Sequence, residues 1–119
     1  MKAIKLTDAR SGCPIASTLD LVGDKWTLVI VRDMINGKKR FNEFLDSPEK
    51  IPTNILTSRL KQMQENGLVK KRQYQERPVR NEYGLTELGR QLHPVLQEIC
   101  RWANAHIQDT WVPPDSFMA

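Results

Sequence analysis

The sequence has little of what builds a disulfide scaffold, a metal centre or a membrane anchor. Its two cysteines, Cys13 and Cys100, are too few for a disulfide framework. Its two histidines, His93 and His106, fall on the same predicted helix as Cys100. His93 and Cys100 share a face at i, i+7 but stand about 10 Å apart along the axis, too far for one ion. Cys100 and His106 point to different faces, so no metal site is expected, and no cofactor. A glycine-rich phosphate loop and a nucleophile–His–acid set are also missing, which argues against an enzyme. No apolar run nears the roughly 18 residues of a membrane span. The longest candidate, Leu28-Val29-Ile30-Val31, is bounded by Thr27 and Arg32. Lys2, Lys5, Asp8 and Arg10 open the chain without an apolar stretch, so no signal peptide is read and a cytoplasmic location is expected.

The 119 residues suit one domain. The net charge is +4, and its placement says more than its size. Residues 53–80 hold seven basic side chains (Arg59, Lys61, Lys70, Lys71, Arg72, Arg77, Arg80) against two acids, Glu65 and Glu76. That excess of five exceeds the charge of the whole chain, and one contiguous basic block suggests a polyanion-binding face. The other reading of a charge cluster is a solvated surface, and the shape of the segment decides between them.

Cys13-Pro14 begins a first helix, with proline at the position where its missing N–H is harmless. Ile15, Leu19 and Val22 line one face and Gly23 ends it. Asp24 caps a second helix, apolar on much of its circumference through Trp26, Leu28, Val29, Ile30, Met34 and Ile35, and Asn36-Gly37 stops it. A short third helix runs from Phe41 to Asp46. After the turn Ser47–Pro52, Thr53 caps a fourth helix with Leu56, Leu60 and Met63 as its buried stripe. Extended stretches at about 68–74 and 79–85 flank a hairpin tip, Gln75-Glu76-Arg77-Pro78. Thr86 caps a long final helix over about 87–109, kinked at Pro94. This divides the chain into an N-terminal arm (1–12), a domain (13–110) and a C-terminal tail (111–119) expected to fray.

Four helices, a basic hairpin and a last helix make a mainly α (α+β) winged helix-turn-helix with a two-stranded β wing and terminal dimerisation helices. A major groove admits one helix, and the wing reaches the flanking backbone or minor groove. The basic block coincides with these two elements, which favours the nucleic-acid reading. The sequence here resembles the HxlR family of winged-helix regulators over about residues 13–107. The resemblance rests on Cys13-Pro14, Leu21-Val22-Gly23-Asp24-Lys25-Trp26-Thr27, Arg40-Phe41-Asn42-Glu43, Ile51 to Leu60, Glu65-Asn66-Gly67-Leu68-Val69, Tyr83 to Gly89, and Trp102. It implies a homodimer on a palindrome-like operator, usually a repressor, often responding to electrophiles or oxidants. Asn54 departs from the basic residue many members carry there, so the operator does not transfer.

The fourth helix offers Asn54, Thr57, Ser58 and Lys61 opposite its buried stripe. Asn bonds adenine through two hydrogen bonds, and Ser and Thr bond several partners. Thr53 either divides its duty between capping the helix and contacting phosphate or serves as the cap alone, and Arg59 either joins the reading face or turns sideways into a salt bridge. In the wing, Lys71, Arg77 and Arg80 are phosphate candidates with Lys70 and Arg72. Arg77 beside Pro78 is best placed for the minor groove. Lys39 and Arg40, with Lys38, lie near the backbone in this architecture. Ile15, Leu19, Leu96, Ile99, Trp102 and Ile107 are expected at the dimer interface. Cys13 sits at a helix N-terminus, where partial positive charge favours the reactive thiolate. The resemblance also marks it as a redox or electrophile sensor, while the plain alternative is an inert, half-buried cysteine. Cys100 reads as packing. A second trigger is a small molecule held between the dimer helices with no cysteine switch, and Trp26, Trp102 and Trp111 are candidates to line its pocket.

Overall fold

The computed structural model describes residues 3–119. Pro14 starts α1 (Pro14–Val22), with Cys13 as the extended N-cap residue. The Asp24 carboxylate then accepts from the backbone N–H groups of Trp26 at 3.0 Å and Thr27 at 2.9 Å, and from the Thr27 hydroxyl. This caps α2 (Thr27–Ile35) from two residues before its N-cap, Trp26. The chain reverses at Gly37, whose φ of 99° a side chain would resist. It continues through α3 (Phe41–Leu45) and α4 (Thr53–Glu65), and reverses again at Gly67, φ 75°.

The wing is an antiparallel pair, β1 (Val69–Glu76) and β2 (Val79–Leu85), joined through Arg77 and Pro78. The register runs from Val69 opposite Leu85 to Gln73 opposite Asn81, then slips so that Gln75 faces Arg80. Tyr74 is the extra residue of this bulge. A feature absent from the sequence reading lies on the free edge of β2. Arg40 pairs with Glu82, and the Tyr83 N–H donates to the Lys39 carbonyl at 2.6 Å.

Two expectations fail in the C-terminal third. The long final helix is two, α5 (Glu87–Arg90) and α6 (His93–His106). Pro94 cannot accept a place deep in a continuous helix, and it sits instead in the first turn of α6, where no N–H is needed. The Thr86 cap of α5 stands as expected, its hydroxyl accepting from the Gly89 N–H. The tail does not fray. It folds back along α6 into α7 (Asp115–Met118), with Phe117 buried. His93 Nε2 lies 2.7 Å from the Phe117 carbonyl, which also accepts from Gln97 Nε2 at 2.9 Å.

The core gathers Ile30 and Val31 of α2, Phe44 of α3, Leu56, Leu60 and Met63 of α4, then Leu68, Val69 and Leu85 at the wing base. Leu96 of α6 and Phe117 close it from the C-terminal side. Replacing Phe117 with alanine should therefore lower stability by about 3 kcal/mol, the cost of emptying a buried aromatic site. Urea unfolding measures this, and a frayed tail would show a change within about 0.5 kcal/mol.

Candidate nucleic-acid interface

On α4 the sequence pattern maps directly onto the surface. Leu56, Leu60 and Met63 are buried, while Asn54, Thr57, Ser58 and Lys61 are exposed along one stripe at i, i+3, i+4 and i+7. Thr57 donates its hydroxyl to the Thr53 carbonyl at 3.1 Å and keeps its lone pairs free. Thr53 is not the cap. Pro52 occupies the extended N-cap position (φ −63°, ψ 143°), so Thr53 is already helical and its exposed hydroxyl is free for another partner. Arg59 leaves the reading stripe: its Nε lies 3.1 Å from Asp24 Oδ2 and its Nη1 donates to Gln62 at 2.5 Å. Burial pushes the Asp24 carboxyl up. The Thr27 hydroxyl, the Trp26 and Thr27 N–H groups and Arg59 outweigh that and hold it below the usual range.

A buried polar cluster sets the angle between α2 and the α3–α4 turn. Asp33 is 5% exposed and Ser47 is 2% exposed. The Ser47 hydroxyl donates to Asp33 Oδ2 at 2.5 Å, and Lys38 Nζ donates to the same hydroxyl oxygen at 2.8 Å. Lys38 is therefore turned inward, and the expectation that it lies beside the DNA backbone is corrected. Arg32 bridges Asp33 Oδ1, through Nε at 3.1 Å and Nη2 at 2.9 Å, to both Glu49 oxygens at 2.8 Å. The Glu49 carboxylate, and after it Asp33, raises the Arg32 pKa against the opposing effect of burial. Arg32 in turn holds the Glu49 carboxyl below its ordinary range.

In the wing, Val69, Tyr83 and Leu85 turn toward the core, and the register puts the exposed Lys71 on that same face. Lys70 and Arg72 occupy the opposite face. Arg72 is committed to Glu82, which accepts from its Nε at 3.0 Å and from its Nη2. Arg77 and Arg80 at the tip, with Lys71 and Lys61, are exposed and make no salt bridge among the described residues. Lys39 is exposed and loosely paired with Glu82 at 3.8 Å. The Arg40 guanidinium lies over the Tyr74 ring, 4.2 Å from its centroid, a cation–π contact. The backbone N–H groups of Lys39 and Arg40 donate to Glu43, whose carboxyl they hold low. Sequence reasoning missed Glu43 and Glu82. Each is a single acid beside basic residues, and only the fold shows what it binds.

Away from this surface, Ile15 (71% exposed) and Leu19 of α1, and Ile99, Trp102 (61%) and Ile107 at α6, are open. Leu96 was expected in the same patch. It is only 7% exposed, because α6 turns it into the core, so it belongs to the packing of one chain. Trp26 packs against the core, whereas Trp111 is exposed. Cys13 is exposed and Cys100 is half-buried against the core. Among the described residues no helix is long and apolar enough to cross a membrane.

A helix pair closed over one core, a surface helix with a polar stripe and a basic hairpin beside it define a winged helix-turn-helix regulator of the DNA-binding class. The chain belongs to the HxlR-like helix-turn-helix family, whose model matches residues 21–110. It is 38% identical over 100 residues to the HTH-type transcriptional regulator YdeP of Bacillus subtilis (strain 168), covering 84% of this chain and 78% of that protein. Among solved structures, it is similar to the redox regulator HypR in its oxidised form, with TM-score 0.72 and 38% identity over 82% of this chain and all of that one. It is also similar to the reduced form of the transcriptional regulator YodB from B. subtilis, with TM-score 0.69 and 32% identity over 85% of this chain and all of that one.

Glu49→Gln tests the clamp beneath this surface. Because folding lowers the Glu49 pKa, its contribution is full above the unfolded value of about 4.3 and is lost as pH falls through the lower folded value. The variant should be about 1 kcal/mol less stable at neutral pH. Denaturant titrations across the acid range should show that gap closing below about pH 4, and a constant gap would count against the ion pair.

Proposed function

We propose that this regulator is a homodimeric repressor that binds a palindrome-like operator and releases it when Cys13 is oxidised or alkylated. The observation that carries the DNA reading is the pairing of an exposed polar stripe on α4 with unpaired cations on the wing tip. In this reading α4 enters the major groove. Asn54 forms two hydrogen bonds to a base edge, while Thr57 and Ser58 contact neighbouring edges. Thr53 and Lys61 hold the flanking phosphates. Arg77 enters the minor groove, and Lys71, Arg80, Lys39 and Arg40 hold the backbone.

The second copy covers the open apolar side chains of α1 and α6. Ile15, Leu19, Ile99, Trp102 and Ile107 are large apolar side chains left open on α1 and at α6, and apolar surface gathered in this way suits an interaction site. Two-fold pairing through them sets the recognition helices about 34 Å apart, one turn of DNA. Cys13 opens α1, one of the helices of that interface, and its thiol is exposed. The likeness to HypR and YodB, one solved oxidised and the other also after diamide treatment, supports a thiol trigger. Diamide takes two electrons and two protons from the Cys13 thiol and a second thiol, from the other subunit or a small molecule, and joins their sulfurs. The new bond displaces α1 at the interface and changes the spacing of the two reading helices.

An open apolar hollow lined by Pro94, Val95, Glu98, Ile99 and Trp102 supports the second reading, a small-molecule effector at the dimer helices without a cysteine switch. Operator release by diamide from wild-type protein but not from Cys13→Ser supports the thiol trigger. Equal release from both transfers the trigger to the hollow.

For DNA binding, Asn54→Ala should change the ranking of a panel of operator variants, with losses of about 1–3 kcal/mol at the bases it reads. Arg77→Ala should weaken all variants alike and make the salt dependence shallower by about one unit of slope. Equal losses across the panel for Asn54→Ala would remove its role as a base reader. Sedimentation should show a dimer at micromolar concentration and a monomer for Trp102→Asp.

A further inference from the structure

One acid stands among the cations of the wing stem. β2 pairs with β1 on one edge and with the segment before α3 on the other, so Glu82 lies directly opposite Arg72 and directly opposite Arg40. Residues opposed in this way present their side chains to one face, and Arg80, two residues earlier on β2, shares it. Glu82 Oε1 accepts from Arg72 Nε at 3.0 Å and from Nη2, and its Oε2 lies 3.8 Å from Lys39 Nζ. The Glu82 side chain is 12% exposed, whereas Arg72 is 73% and Lys39 57% exposed. The carboxylate sits inside and the cations reach over it. The Arg72 hydrogen bonds, with the charges of Lys39 and Arg40 behind them, hold its carboxyl below the usual range, so it is ionised at neutral pH.

We propose that Glu82 is a specificity-determining positioning residue that withholds Arg72 from indiscriminate phosphate contacts. The inference rests on the DNA-binding reading above. An arginine whose Nε and Nη2 are both bonded to a carboxylate cannot turn the same groups to a phosphate without breaking that pair. Each cation that does reach a phosphate releases counterions and strengthens binding to any sequence. Because non-specific sites outnumber operators by orders of magnitude, restraint on sequence-independent binding raises the share of protein at the operator. Glu82 thus limits affinity at Arg72 and leaves binding to the unpaired cations of the wing and to the polar stripe of α4.

The test uses the full chain and a short random-sequence duplex, read by fluorescence anisotropy over a range of salt concentrations. Glu82→Gln keeps the shape and still accepts a hydrogen bond from Arg72, but carries no charge. It should bind the duplex several-fold more tightly at low salt, with a slope of log K against log salt steeper by about one. Arg72→Gln in the wild-type background should leave the slope unchanged, because Arg72 is already engaged with Glu82 and releases no phosphate counterion, while the freed Glu82 carboxylate lowers affinity. Unchanged or weaker binding by a folded Glu82→Gln protein overturns the inference. So does a shallower slope for Arg72→Gln, which tests it even where the Glu82 variant unfolds. A wild-type chain that binds no duplex at low salt removes the DNA reading and this inference together. A wild-type chain that binds while both variants behave otherwise than expected removes the inference alone.

Discussion

A buried carboxylate, Asp33, holds the helix-turn-helix in shape. Taking an ion out of water costs several kcal/mol unless its oxygens are bonded. Asp33 meets that condition with the Ser47 hydroxyl on one oxygen and Arg32 on the other. Its backbone carbonyl accepts from the Lys38 N–H at 2.9 Å, which closes the turn after α2. One residue thus fixes the end of α2, the turn after α3 and, through Arg32 and Glu49, the approach to α4. An apolar replacement would fill the space but would not specify the angle at which α4 leaves the core. That angle decides whether Asn54, Thr57, Ser58 and Lys61 stand clear of the protein as a set.

The wing is held by a different device at its base. The Thr86 N–H donates to the Leu68 carbonyl at 3.0 Å and its hydroxyl donates to the Gly67 carbonyl at 2.6 Å, while the same hydroxyl oxygen caps α5. The α5 backbone approaches so closely that a Cβ on Gly89 would lie 2.1 Å from the Leu68 oxygen. Strand ends and helix start are therefore one rigid joint. Since α6 follows α5 within two residues, movement of α6 at the proposed dimer surface would bear directly on the wing base. This joint gives the proposed coupling between effector and DNA a covalent and hydrogen-bonded route that stays within one chain.

What the sequence made legible follows local rules. Helical periodicity, Pro14 at a helix start, Gly37 and Gly67 at helix ends and the Thr86 cap are written within a few residues of where they act, and the element order as far as the wing could be read from them. The stripe on α4 was legible for the same reason, since i, i+3 and i+4 spacing separates Leu56 and Leu60 from Asn54 and Ser58. What escaped depends on partners far along the chain. Phe117 is buried because α6 offers His93 and Gln97 to its backbone, and nothing in its own neighbourhood says so. Leu96 and Ile99 look alike in an apolar stripe, and only the packed core separates the inward residue from the outward one. Lys38 looks like its neighbour Lys39 until Ser47 claims it. Lys70 and Lys71 are adjacent and alike in charge, and only the register with β2 assigns them to opposite faces.

The charge block itself changes meaning once these partners are known. Seven basic side chains against two acids give residues 53–80 an excess of five. Arg59 and Arg72 are paired with Asp24 and Glu82, both outside that segment, so the effective excess falls to three. The two neutralised cations are internal to the architecture, one tying α4 to the α2 cap and one bracing the wing stem. Those that remain are Lys61 on α4, Lys70 and Lys71 near the wing base, and Arg77 and Arg80 toward the tip. Phosphate contacts set orientation without reading sequence. In the proposed complex, a smaller set of free cations leaves a larger share of the discrimination to Asn54, Thr57 and Ser58. Folding thus reduces the charge that the segment offers to any polyanion, and the proposed reading of bases rests on the side chains that remain.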